Sequence, residues 1–515
     1  MAAKGQARTG WSPQRWLILR RIVQYTALLA FLALFIGTRR GGWPAWLINL
    51  PMRLDPLLML AHGLADRTLL LGSSLALLTV ILTLVVGRAW CGWLCPLGTV
   101  LDLFSLRRWR DKHRPPAEAW RAIKYGLLLT SLIAALLGNL TLLIFDPLTL
   151  LFRSLTLSVW PALDQLVTAT EATLYRFAWL RPAVAAFDGW VRPTLLPAEP
   201  LYYRYTMLYA AIFVGVILLN VWAARFWCRY LCPLGALLGG LSKVALFRRE
   251  VGADCIQCLA CTRACPTGTI DPQRGYASDP GECTMCLECL EACPGNGVTF
   301  PVHLSLAERR PYDPNRRQTL AALGLAVAGV GLFRANHIAK QPHPRLLRPP
   351  GVQEHDFLAQ CIRCGECLRA CPTGALQSAM SEAGLEGLWT PLLIPRLGYC
   401  DYSCNACGQV CPVEAIPPLS LEQKRQQVIG LAYIDQNRCI AWADRRDCIV
   451  CEEMCPVPDK AIKLTPTELP NAAGELVMVQ LPAVDRSKCI GCGICEYKCP
   501  VGGEAAIRVS VAGMV

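Results

Sequence analysis

The sequence predicts an α-helical membrane domain of four to five transmembrane helices joined to small α+β domains built around cysteine loops. Three observations carry this. The 515-residue chain is 53% hydrophobic and 17% charged, and its mean hydropathy of +0.34 is too apolar for an ordinary soluble protein. It holds 28 cysteines, too many for incidental thiols and in too long a chain for a small disulfide scaffold. Its charge is uneven. Residues 1–124 carry 17 basic and 5 acidic side chains, about +12, whereas residues 351–515 carry 14 and 19, about −5. Length alone allows three or four domains. The basic residues flank apolar runs and form no soluble basic domain, which argues against nucleic-acid binding.

Four apolar windows read as membrane helices: Ile22–Gly37, Thr68–Gly87, Tyr125–Phe145 and Thr206–Ala224. The last three approach the roughly 20 residues that a bilayer core requires. The first extends through Leu17–Leu19, with Arg20 and Arg21 snorkelling. No small-residue cleavage site follows it, so it reads as an uncleaved helix rather than a signal peptide. Basic residues set the orientation. Lys4, Arg8, Arg15, Arg20 and Arg21 precede the first window. A cluster from Arg107 to Lys124 separates the second and third, and Arg225, Arg229, Lys243, Arg248 and Arg249 follow the fourth. These three segments are expected on the cytoplasmic side, with Arg39, Arg40 and Arg53 mildly opposing. A fifth apolar run, Leu320–Phe333, follows Arg316 and Arg317. A paired arginine before such a run resembles a twin-arginine export signal, which predicts that the segment after it is exported already folded.

The first half contains a repeat. Arg88-Ala-Trp-Cys-Gly-Trp-Leu-Cys-Pro-Leu-Gly98 recurs as Arg225-Phe-Trp-Cys-Arg-Tyr-Leu-Cys-Pro-Leu-Gly235, with eight of eleven positions identical. Each copy ends an apolar window, so two similar halves bring the copies near one another. Cys91, Cys95, Cys228 and Cys232 are therefore candidate metal ligands or redox thiols. The bland alternative is small apolar packing at a bend made by Pro96 and Pro233.

The other 24 cysteines form six quartets, each followed by proline. Four have the spacing C-x2-C-x2-C-x3-C-P: Cys255, Cys258, Cys261, Cys265; Cys283, Cys286, Cys289, Cys293; Cys361, Cys364, Cys367, Cys371; and Cys489, Cys492, Cys495, Cys499. Cys400, Cys404, Cys407 and Cys411 widen the first gap by one residue, and Cys439, Cys448, Cys451 and Cys455 lengthen it further. This is the bacterial ferredoxin run, in which three thiolates of one loop take three irons of a [4Fe–4S] cubane and the fourth comes from a partner motif. Six such clusters are expected, in α+β domains of the bacterial ferredoxin type. Zinc sites use isolated C-x2-C pairs or histidine, and no histidine follows a C-x2-C pair, which argues against a c-type haem as well. The resulting division is 1–250 helical, 251–305 a two-cluster ferredoxin, 306–350 the arginine-led apolar segment and linker, and 351–515 a four-cluster ferredoxin.

The chain resembles a fusion of two kinds of membrane-associated ferredoxin protein, NapH-like and then NapG/MauM-like. The strings RPPGVQEHDFLAQCIRCGECLRACPTGALQ, GYCDYSCNACGQVCPVEAIPPL and RCIAWADRRDCIVCEEMCPVPDKAI carry the second part. The resemblance implies quinol-dehydrogenase-type electron transfer: membrane quinol as donor and a periplasmic redox enzyme or cytochrome as acceptor. It also implies an inner-membrane location, with the first ferredoxin region cytoplasmic and the second periplasmic. It implies a ligand pairing too. Cys255, Cys258 and Cys261 go with Cys293, and Cys283, Cys286 and Cys289 with Cys265. In the second region outer motifs pair with outer and inner with inner: Cys361, Cys364, Cys367 with Cys499; Cys489, Cys492, Cys495 with Cys371; Cys400, Cys404, Cys407 with Cys455; and Cys439, Cys448, Cys451 with Cys411. Asp146 is expected either to take a proton from quinol or simply to end a helix at the membrane interface. The competing reading of the whole chain is a maturation or regulatory factor for a metalloenzyme. No triad, phosphate-binding loop or nucleotide-binding glycine pattern points to another substrate-converting site.

Overall fold

The computed structural model describes residues 12–40, 43–68, 71–105, 120–197, 200–295, 297–303, 343–470 and 474–511, with scattered positions between 320 and 331. The Arg316–Arg317 pair, the basic stretch 106–119 and most of the run 320–333 lie outside the described residues.

The chain opens with α1, Pro13–Arg40, 28 residues rich in Leu, Ala and Phe. Proline suits its first position because the N–H it lacks would have no helical partner there. At 1.5 Å per residue α1 is about 42 Å long, enough to span a hydrocarbon core of about 30 Å. Then follow α2 (Pro56–Asp66), α3 (Ala76–Val86), a π turn at Trp90–Leu94 and α4 (Pro96–Leu103). The second half repeats this order with α5 (Arg121–Leu136) and α6 (Pro147–Ser154). A further π turn leads into α7 (Trp160–Leu174) and α8 (Arg181–Thr194). The half closes with α9 (Thr206–Trp222), a π turn at Trp227–Leu231 and α10 (Pro233–Ser242).

The apolar windows are shorter as helices than as sequence. Among the described residues only α1 is long and apolar enough to cross a membrane by itself, while α3, α5 and α9 have 11, 16 and 17 residues. Glycine is one cause. Gly138, at φ +79°, turns the chain just beyond α5 and inside the third window, a conformation that suits a residue without Cβ, whereas α3 is shortened at its start, where Leu71–Leu75 forms a 3-10 turn.

Two cysteine-loop regions pack on opposite ends of α1. Near its start, Arg20 donates to the Cys286 carbonyl at 3.1 Å and pairs with Glu288 at 3.3 Å. Near its end, Arg369 donates to the Phe35 carbonyl at 3.3 Å and stacks over the Phe35 and Trp160 rings. Fifteen residues separate Arg20 from Phe35, a rise of about 22 Å.

The first region is closed by Glu250–Val251 pairing antiparallel with Val298–Thr299, with Ile270–Asp271 and Ala277–Ser278 inside. In the second, Leu431–Ile434 pairs with Ile507–Ser510 around the last two cysteine motifs, and a hairpin joins Ile462–Pro470 to Leu476–Val484. Leu376–Ser378 pairs with Pro391–Leu393 between the earlier two motifs.

One buried ion cluster docks the first region. Glu282 meets Lys124 at 2.6 Å and Arg88 at 3.6 Å, all nearly inaccessible to solvent. Burial and the neighbouring Arg88 push Lys124 down to about 8, against the opposing pull of Glu282. Breaking a buried pair by removing one partner costs about 3–5 kcal/mol. Lys124→Met leaves Glu282 with Arg88, so we expect a loss of about 3 kcal/mol. Thermal unfolding and faster proteolysis within residues 251–303 would read it.

Candidate iron–sulfur centres

The four regular cysteine loops share one backbone trace. The residue before the second cysteine and the residue after it are both left-handed: Gln257 and Leu259, Met285 and Leu287, Arg363 and Gly365, Gly491 and Gly493. Alternation of left- and right-handed residues turns successive N–H groups into one concavity, the nest that receives anionic groups. A helix of four or five residues then starts and carries the third cysteine, as in Ala260–Ala264 and Glu366–Ala370. Cys265, Cys371 and Cys499 end such helices in extended conformation, as the following proline demands. Amide and hydroxyl groups face several sulfurs. Ala406 N–H lies 3.5 Å from Cys404 Sγ, Ala432 N–H 3.4 Å from Cys489 Sγ and Thr267 Oγ1 3.5 Å from Cys265 Sγ.

Three apolar pockets gather four cysteines each. One of about 330 Å³ is lined by Cys255, Cys258, Cys261 and Cys293, the set expected for the first region. Another of about 390 Å³ is lined by Cys439, Cys448, Cys451 and Cys499. A third of about 320 Å³ is lined by Cys455, Cys489, Cys492 and Cys495. Cys411 lies in the electrostatic field of Cys361, Cys364 and Cys367, and Cys371 in that of Cys400, Cys404 and Cys407. The outer-with-outer pairing expected for the second region is therefore wrong. Neighbouring motifs exchange their fourth cysteines: Cys499 joins Cys439, Cys448 and Cys451, and Cys411 joins Cys361, Cys364 and Cys367. The strand pair 431–434 and 507–510 encloses the last two motifs as one unit, much as 250–251 and 298–299 enclose the first two. The quartets fit a cubane. Each pocket offers four sulfurs on an apolar wall.

The structure also brings the repeated pairs together. Cys91, Cys95, Cys228 and Cys232 are all buried. Cys95 is a charge neighbour of Cys91 and Cys228, and Cys232 of Cys228 and Cys91. Each pair straddles a π turn, and the second cysteine of each caps the next helix, α4 or α10. Asp146 does end a helix, the short 3-10 helix Thr141–Phe145, but in the interior and not at an exposed boundary. It also begins α6, accepting from the Leu148 and Thr149 amides at 3.0 and 3.1 Å, and is completely buried. Its carboxylate partner is Asp55, equally buried, which caps α2 through the Leu57 and Leu58 amides. Sequence reasoning missed Asp55. The signal was there: Leu54-Asp55-Pro56 matches Phe145-Asp146-Pro147 at the corresponding place of each half.

Comparison with known proteins supports the iron–sulfur reading. Models described as 4Fe-4S binding domains match residues 68–115 with 205–253, 358–377 and 481–507, and a 4Fe-4S dicluster domain matches 249–294. The chain is 36% identical over 210 residues to the methylamine utilization ferredoxin-type protein MauM of Methylorubrum extorquens, covering 39% of this chain and 90% of that protein. It is 35% identical over 192 residues to the ferredoxin-type protein NapG of Escherichia coli, 36% of this chain and 79% of NapG. The chain belongs to the MauM and NapG family of ferredoxin-type proteins. It also carries a NapH-like part, 24% identical over 274 residues to ferredoxin-type protein NapH of Haemophilus influenzae, 50% of this chain and 78% of NapH. No solved structure matches. It is an iron–sulfur, ferredoxin-type electron-transfer protein, and α1 together with the NapH likeness marks it as membrane-associated.

The pocket linings make the pairing testable. Cys499→Ser is expected to disturb the cluster held by Cys439, Cys448 and Cys451 while leaving the thiols of Cys489, Cys492 and Cys495 protected. Footprinting with a thiol-alkylating reagent under anaerobic conditions reads which loop becomes reactive. Labelling of Cys361, Cys364 and Cys367 instead would restore the outer pairing.

Proposed function

We propose that this chain passes electrons from membrane quinol to a periplasmic redox enzyme or cytochrome, using six [4Fe–4S] clusters held by the six quartets. In this reading residues 1–250 sit in the bacterial inner membrane with four membrane-embedded helices, residues 251–305 face the cytoplasm and residues 351–515 face the periplasm. The observation that carries the reading is the docking of the two cysteine-loop regions at opposite ends of α1. The basic end of α1, with Arg15, Arg20 and Arg21, meets the first region, as the cytoplasmic bias of Lys and Arg requires. Bound clusters supply one-electron transfer. The chain supplies their order. Arg363 in the loop of Cys361 and Cys364 touches the helical domain at Thr141, 3.3 Å away. The Cys400 amide donates to the Cys492 carbonyl at 2.8 Å, joining the first two motifs of this region to the last two. The quartet of Cys439, Cys448, Cys451 and Cys499 then lies farthest along the contact sequence from the helices.

Two measurements on the full chain test this. Protease added to intact spheroplasts is expected to remove a tag placed after Val515, and protection until lysis would overturn the transmembrane arrangement. In proteoliposomes a reduced quinol is expected to bleach the visible absorbance of the clusters as they are reduced. No bleaching, with a partner enzyme that lacks its own cofactor when this chain is deleted, would replace electron transfer by maturation.

A further inference from the structure

We infer that the helical hairpin of α7 and α8 is a membrane-surface anchor, lying in the interfacial layer of the bilayer beside the far end of α1 with lipid as its partner. The inference rests on the proposed reading that residues 1–250 sit in a membrane. The two halves of the helical domain differ by this segment. From Asp55 to Cys91 the first half runs 36 positions, whereas from Asp146 to Cys228 the second runs 82. Both halves still deliver an aspartate-capped helix, a π turn and a helix that starts at a cysteine. The additional length is accounted for by α7, α8 and their flanks. The repeat does not need them, so they call for a role of their own.

Charge in the hairpin is drawn inward. Arg192 of α8 pairs with Asp164 and Glu171 of α7 at 2.8 and 2.9 Å, and with Asp188 of its own helix at 2.9 Å. It also donates to Thr168 Oγ1 at 2.8 Å. Asp164, Thr168 and Glu171 share one face of α7 by their helical spacing. Leu163, Leu166 and Leu174 share a different face, and all three are exposed. On α8, Phe187 and Trp190 stand three apart and are exposed too. A hairpin in water keeps such stripes against a core. Here the ion cluster holds the helices together and the apolar stripes face outward.

Position and composition point to lipid. The hairpin starts beside the end of α1, where the Phe35 and Trp160 rings meet edge-on with centroids 5.5 Å apart. The outer faces of α1, α3 and α9 expose Ile22, Leu29, Ile81 and Leu218, so the stripes add to a surface already suited to acyl chains. Length excludes crossing. With 15 and 14 residues, α7 and α8 are about 22 and 21 Å long, short of a hydrocarbon core of about 30 Å. An amphipathic helix of this kind lies along the interface. The connecting turn supplies the anchors. It exposes Tyr175, Phe177 and Trp179, the last at 78%, together with Arg176 and Arg181. Arg181 stacks over the Tyr175 ring at 5.9 Å. Tryptophan and tyrosine collect at headgroup depth, and arginine pairs with phosphate. A protein partner is the competing occupant. The hairpin gives it little to recognise by charge, because all three acidic residues of α7 and α8 are committed to Arg192.

Photo-crosslinking in the full chain tests this. The photoreactive residue p-benzoylphenylalanine replaces Leu166, Trp190 or Leu218, one at a time, and intact membranes are irradiated. Leu218, on the exposed side of α9, reports the membrane reading itself. Lipid adducts are expected at all three positions by peptide mass spectrometry. Lipid adducts at position 218 alone, with protein adducts or none at 166 and 190, would overturn the inference and leave the membrane reading standing. No lipid adduct at any position would overturn both. If the substituted chains do not accumulate, hydroxyl-radical footprinting of the unmodified chain in lipid nanodiscs decides. Trp179 and Trp190 are expected to be oxidised several-fold less than Met478, a comparably exposed side chain of the second region. Oxidation of both tryptophans as fast as Met478 would overturn the inference.

Discussion

Buried guanidinium groups hold this molecule together at both ends. Arg88 and Arg225 are wholly enclosed on one side, Arg153, Arg363 and Arg369 on the other. An arginine cannot shed its charge, and an unpaired charge in a dry interior is costly. Each must therefore find fixed acceptors, and most of those acceptors are main-chain carbonyls. Arg153 reaches the carbonyls of Arg363 and Trp389 and the hydroxyl of Ser378 at 2.9 Å. Arg363 reaches the carbonyls of Cys361, Leu388 and Glu386 at 2.9, 3.0 and 2.8 Å. A carbonyl does not rotate away as a side chain does. These bonds set the position of whole loops, including those that carry cysteines.

The cysteine loops show the same reliance on backbone. What makes them receptive is the handedness of two residues per loop, and glycine is not required for it: Gln257, Leu259, Met285 and Leu287 adopt φ between +49° and +62°. Non-glycine residues there carry a conformational cost. The thiolate–iron bonds of a bound cluster and the amides aimed inward offset it.

Much of this was legible in the sequence. Local spacing announces a cubane loop because three ligands must come from one short turn, so all six quartets could be read directly. The fourth ligand could not, since Cys499 reaches Cys439, Cys448 and Cys451 only through the strand pair that folds the last two motifs onto each other. Hydropathy found the apolar segments but overstated their helical lengths, because it does not register the glycine turn at Gly138 or the 3-10 turn at Leu71–Leu75. The meeting of Asp55 with Asp146 lay in an Asp-Pro repeat too short to stand out. Its meaning depends on two half-helices beginning at one place, which is a tertiary fact.

Having both cysteine-loop regions on one polypeptide changes the kinetics of exchange between them. Separate subunits must find each other by lateral diffusion, and their encounter rate falls as either is diluted. Here the two ends are covalently joined and packed on the same helix, so each meets the other at an effective concentration that expression level does not alter. Throughput per molecule then becomes independent of subunit stoichiometry, and neither half can accumulate without its counterpart.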